Sequence, residues 1–105
     1  MTCAVIFTSK RTEENDKLYY QHNNLLEEKI KSIPGYIKHF GSRNKETRQG
    51  VTVVYFENVE AIKLWRNDLD HLKAKSLAKS HFYEWYTIEI VTIEREYKWN
   101  GINSQ

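Results

Sequence analysis

The order of apolar and polar positions divides the chain into six elements. Residues 4–11 begin as an apolar, β-branched run, which predicts a first strand. Thr12-Glu13-Glu14-Asn15-Asp16 suits a helix start, because acidic side chains stabilise the positive end of the helix dipole. Leu18, His22, Leu25, Leu26, Lys29, Ile30 and Ile33 then recur at helical spacing, until Pro34-Gly35 ends the run. Residues 36–43 read as a second strand, Asn44 to Gly50 as a polar hairpin loop, and Val51 to Phe56 as a third strand. Asn58 is placed to cap a second helix starting near Val59. Its apolar stripe is Ala61, Ile62, Trp65, Leu69 and Leu72. The helical pattern runs to about Ser80, and Asn67-Asp68 is where it would break. Trp85 to Trp99 carries a long strand pattern, and residues 100–105 form a polar tail.

The order βαββαβ predicts an α+β domain of ferredoxin-like topology, an antiparallel sheet with two helices on one face. Along the last strand, Tyr86, Ile88 and Ile90 point to one face, and Val91, Ile93 and Tyr97 to the other. Both faces are therefore partly apolar. The face without helices calls for a partner, and the simplest partner is a second copy on a two-fold axis.

Composition narrows the picture. The 105 residues fit one domain, with a core over about 4–99. Sixteen basic and fourteen acidic residues give a net charge of +2, which makes no electrostatic case for nucleic acid or an anionic membrane. Lys73, Lys75 and Lys79 read as a solvated helix face. No run approaches the roughly 18–20 apolar residues of a membrane span, and the N-terminus lacks the basic start of a signal peptide. The single cysteine, Cys3, lies in an apolar run, so it reads as a buried thiol in a reducing compartment, the cytoplasm.

Several segments taken together resemble the antibiotic biosynthesis monooxygenase (ABM) family of dimeric α+β barrels. They are Pro34-Gly35-Tyr36, Gly50-Val51-Thr52-Val53-Val54-Tyr55-Phe56, Glu60-Ala61-Ile62, Trp65-Arg66, His71, Ala74, Tyr83, Tyr86, Glu94-Arg95 and Tyr97. The resemblance covers about residues 4–99. It implies a homodimer with a pocket between helices and sheet in each protomer. It also implies oxidation of a small aromatic or quinol-like compound by molecular oxygen, without metal or flavin. Other members of the superfamily bind and degrade haem, so a non-catalytic dimer holding a small ligand, haem among the options, is the alternative, beside a stress-related protein. The polyketide-oxidising members pair a helix tryptophan with an asparagine one turn earlier; here that position is Ala61. The haem-degrading members place their histidine later, so the spacing from Trp65 to His71 departs from theirs.

Seven residues are the candidates for a site. His71 and His22 are the two possible bases. His71 would reach inward if the helix breaks near Asn67, and otherwise sits at its boundary. His22 lies within the first helix's apolar stripe, so it is either a satisfied core histidine or points into a cavity. Trp65 is a core residue or a pocket wall that stacks on a planar substrate, with Arg66 beside it. Phe82, like Trp65 and Tyr83, is a candidate for an aromatic clamp on the substrate. Tyr83, Trp85 and Tyr86 gather where the last strand begins; they close a pocket mouth or cement the dimer interface, and the interface is the simpler reading. His39 and His81 carry weaker signals. The histidines show no metal-ligand spacing, so no metal site is expected. There is no glycine-rich phosphate loop.

Overall fold

The computed structural model describes residues 1–67 and 82–101. Its elements follow the expected order: β1 (Cys3–Arg11), α1 (Asp16–Lys31), β2 (Tyr36–Arg43), β3 (Gln49–Phe56), α2 (Val59–Arg66) and β4 (Tyr83–Thr92). The strands form one antiparallel sheet in the order β2-β3-β1-β4, the ferredoxin-like arrangement. β4 ends at Thr92 rather than near Trp99: Tyr97 and Trp99 are 78% and 84% exposed, so no packing extends the strand there. The expected continuation of the second helix to about Ser80, with His71, Lys73, Lys75 and Lys79, lies outside the described residues, as does His81. No helix among the described residues is long and apolar enough to cross a membrane.

The core is where α1, α2 and the middle of the sheet meet. Cys3, Val5, Ile30, Val54, Phe56, Ala61 and Ile62 are buried together, with Ile33, Tyr36 and Trp65 against them. Asn58 caps α2 as its sequence position suggests, its side-chain oxygen accepting from the Ala61 amide at 3.0 Å. Gly35 adopts φ +94, and a Cβ there would lie 2.7 Å from the Ala61 Cβ. The turn after α1 is thus pressed against α2, and a larger residue at Ala61 has no room on that side.

The face of α1 differs from the expected stripe. Tyr19 and Ile30 are its buried residues, whereas Leu18 and Leu25 are 39% and 68% exposed. Tyr19, Leu26 and Ile30 follow the i, i+7, i+11 spacing of one helical face. Tyr19 wins that face by its ring contacts with Phe82 and Tyr83, whose centroids lie at 5.6 and 5.9 Å.

Strand alternation is broken twice. The pairing shifts between Tyr36 and Lys38 on β2, and between Trp85 and Tyr83 on β4, where Lys10 and Arg11 are their partners on β1. Each shift adds one residue to a strand and so turns a side chain to the opposite face. Tyr36 thereby joins His39 on the helix side, and Tyr83 joins Tyr86 there, while Trp85 stays on the outer face.

Candidate functional site

A cavity of about 340 Å³ lies between α1 and the helix side of the sheet. That is the low end of the range for small-molecule sites. Three cross-strand rows make its floor. One contains His39, Val54 and Val5; the next Gly41, Thr52, Phe7 and Ile88; the last Arg43, Gly50, Ser9 and Tyr86. α1 supplies the roof through Tyr19, Tyr20, His22, Asn23, Leu26, Glu27 and Ile30, and Trp65 and Phe82 complete the wall.

Five of the seven sequence candidates line this cavity: His22, Trp65, Phe82, Tyr83 and Tyr86. Arg66 is exposed and is not among its lining residues. His71 lies outside the described residues. Tyr83 and Tyr86 face the cavity rather than the open sheet face, because the β4 bulge reverses the alternation that would have paired Tyr83 with Trp85. Their rings pack on Phe7 at 5.3 and 5.6 Å.

The chemistry changes along the cavity. At the α2 end, Trp65 lies against Phe56 with ring centroids 5.8 Å apart, so it serves core and wall at once. Beside it on the floor, His39 is held by the Tyr36 hydroxyl at 2.6 Å from Nδ1, and the Glu27 carboxylate lies 4.0 Å from Nε2. Asn23 donates to the same carboxylate at 3.4 Å. Midway, His22 stands against Phe82 with ring centroids 5.8 Å apart. No hydrogen bond engages its imidazole among the described residues.

The opposite end is built by arginines. Arg11 is 2% exposed; it donates to the Phe82 carbonyl at 2.5 Å and to Asp16 Oδ1 at 2.5 Å, with its guanidinium 4.0 Å from the Tyr19 ring centre. Arg48 donates to the same Asp16 oxygen at 2.6 Å and to the Thr12 carbonyl. The hydrogen bond from Arg48, with the charges of Arg48 and Arg11, holds the Asp16 carboxyl below the usual carboxylate range. Asp16 opens α1, as expected of an acidic first turn, yet it serves as the staple that joins helix, hairpin and strand.

Arg43 stands apart from this pair. Its Nη2 donates to the Ser9 hydroxyl at 2.8 Å, and its Nη1 to the carbonyls of Arg48 at 2.8 Å and Ser9 at 3.3 Å. The guanidinium crosses the bare Cα of Gly50, where a Cβ would lie 2.9 Å from Cζ. Burial, and then the neighbouring Tyr19 hydroxyl, push the Tyr83 phenol above its ordinary range. Tyr83 therefore stays protonated and remains a donor at neutral pH. Sequence reasoning missed Arg43, Ser9 and Arg11. The available signal was an arginine at the end of a strand, opposite a glycine across the hairpin, on the face that the helices cover.

No group of three or more potential ligands is arranged to hold a metal ion among the described residues.

No family model matches the chain. The Bacillus subtilis protein YqjZ is 31% identical over 93 residues, covering 89% of this chain and 80% of that one. Among solved structures, Rv0793 from Mycobacterium tuberculosis superposes with a TM-score of 0.80 at 9% identity, over 93% of this chain and all of that one. An antibiotic biosynthesis monooxygenase gives 0.76 at 13% identity, over 89% and 99%. SnoaB, a cofactor-independent oxygenase from Streptomyces nogalater, gives 0.74 at 8% identity, over 90% and 95%. At such low identities the structural matches speak for the fold, whereas YqjZ is a relative by sequence. The chain belongs to the family of Bacillus subtilis YqjZ, and its fold is that of the antibiotic biosynthesis monooxygenases.

Proposed function

We propose that the protein is a monooxygenase that oxidises a small aromatic or quinol-like compound in this cavity without metal or organic cofactor. The observation that carries the reading is His22. Its imidazole has no hydrogen-bond partner among the described residues and stands against the Phe82 ring, in a cavity large enough for a small fused-ring compound. The likeness to SnoaB, named a cofactor-independent oxygenase, supports it by fold.

The chemistry follows from the side chains. His22 takes the proton of a phenolic or enolic hydroxyl. The anion so formed pushes electron density onto a ring carbon, which bonds to molecular oxygen; the peroxide takes back the proton held by His22 and becomes a hydroperoxide. Loss of water from that hydroperoxide leaves a carbonyl at the reacting carbon, which is a CH₂ in the substrate's keto tautomer: one oxygen atom enters the product and the other leaves as water. Trp65 and Phe82 hold the ring, the protonated Tyr83 donates to an oxygen, and apolar walls exclude competing water. His71 remains a second base in this reading.

A homodimer is part of the same reading. On the outer sheet face Phe40, Val51, Trp85 and Val91 are 57%, 40%, 44% and 36% exposed, an apolar surface that a second copy would cover. The lone buried Cys3 fits the reducing cytoplasm.

Oxygen uptake with anthrone and with 1,4-dihydroxynaphthalene tests the proposal. Consumption that falls about 10²-fold or more in His22→Gln is the expected result. No consumption above the uncatalysed rate with any such substrate overturns it.

A further inference from the structure

We propose that the arginine end of the cavity is a carboxylate-binding site, so that the ligand is an aromatic acid rather than a neutral aromatic. The inference rests on the cavity being the ligand site and goes beyond the oxygenase reading, which needs no acid group.

Three guanidinium groups, those of Arg11, Arg43 and Arg48, meet at this end. Asp16 is the carboxylate that answers them, and its contacts are with Arg11 and Arg48. Arg43 has no carboxylate partner among the described residues, although it forms part of the cavity wall. Among the described residues its hydrogen-bond acceptors are neutral oxygens. A cation kept in a partly buried, aromatic setting without a counter-ion is costly unless an anion completes it.

The group is also pre-positioned. Ser9, fully buried, fixes Nη2, the Arg48 carbonyl fixes Nη1, and Gly50 leaves the space that the guanidinium fills. Guanidinium has five N–H donors, and three contacts leave the Nε–H and one Nη2–H for a ligand. Two adjacent donors on a rigid planar cation match the two oxygens of a carboxylate. The rings of Tyr19 and Tyr83 flank the guanidinium at 6.0 and 5.9 Å, which continues the aromatic walls up to the charge. A flat acid would therefore lie with its ring against Tyr83 and Phe82 and its carboxylate on Arg43.

Calorimetric titration without oxygen tests the assignment, with 1,4-dihydroxy-2-naphthoate and its neutral counterpart 1,4-dihydroxynaphthalene as probes. The native protein should bind the acid at least about tenfold more tightly than the diol. Arg43→Gln should abolish that preference, weakening the acid at least about tenfold more than the diol, and Arg43→Lys should retain part of it. Equal affinities in the native protein, binding of neither probe, or an equal loss for both probes in Arg43→Gln would overturn the proposal. The native ratio is decisive even if Arg43→Gln fails to fold. Repeating the titration in air separates the two readings. Arg43-dependent binding of the acid without oxygen consumption upholds this site and removes the oxygenase. Oxygen consumption with equal affinities for the two probes does the reverse.

Discussion

The two ends of the cavity are built on different physics. At the α2 end, Trp65, Phe56, Ala61 and Ile62 pack by shape, with the Gly35 turn pressed onto Ala61. At the α1 start, Arg11, Arg43 and Arg48 are held by directional bonds to carbonyls, to Ser9 and to Asp16. Packing gives the first end a fixed wall. Directional bonds give the second end a fixed charge, which packing cannot supply. A ligand spanning both would meet a ring-shaped slot at one side and an oriented cation at the other.

Substitutions separate the two. Phe56 is completely buried, so Phe56→Ala should cost about 3–5 kcal/mol, measured by denaturant unfolding. Arg11→Met keeps the bulk but strips the Phe82 carbonyl and Asp16 of a charged donor; a loss of about 2 kcal/mol is expected from the same measurement. If the two losses came out equal, the distinction between a packed end and a bonded end would fail.

Acid should weaken the arginine end through Asp16. Asp16 is held below its ordinary value of 3.8, so its contribution is complete above about pH 4 and fades as pH falls through the lowered folded value. Melting temperature followed from pH 5 to 2 should decline, with a shallower slope in Asp16→Asn. Alkali acts through Tyr83. Its raised phenol pKa means that the stabilising effect is present below about pH 10, the unfolded value, and is lost as pH rises beyond it. Ultraviolet titration of the tyrosines should show one late-ionising phenol that Tyr83→Phe removes.

Element order was readable because apolar, β-branched runs mark β1 and β3, and a repeat close to 3.6 marks the helices. The strand bounds of β2 agree with the sequence pattern residue for residue. The candidate site was readable in part, since His22 on an apolar helix face and Trp65 on a stripe are visible without coordinates. The bulges were not readable. An added residue leaves no mark on the alternation of a short strand, yet it decides which face Tyr36 and Tyr83 occupy. Arg43 was hidden for another reason: its meaning depends on Gly50 and Ser9, which lie on two other strands and meet it only through the sheet register.

Both the proposed oxidation and the acid preference need an aromatic ligand to sit in the space between α1 and the sheet. A crystal structure with 1,4-dihydroxy-2-naphthoate bound tests this most directly. The predicted result is the ring against Phe82 and Tyr83, its hydroxyl within reach of His22 and its carboxylate on Arg43. A ligand on the outer sheet face, or a cavity closed by its own side chains, would contradict it.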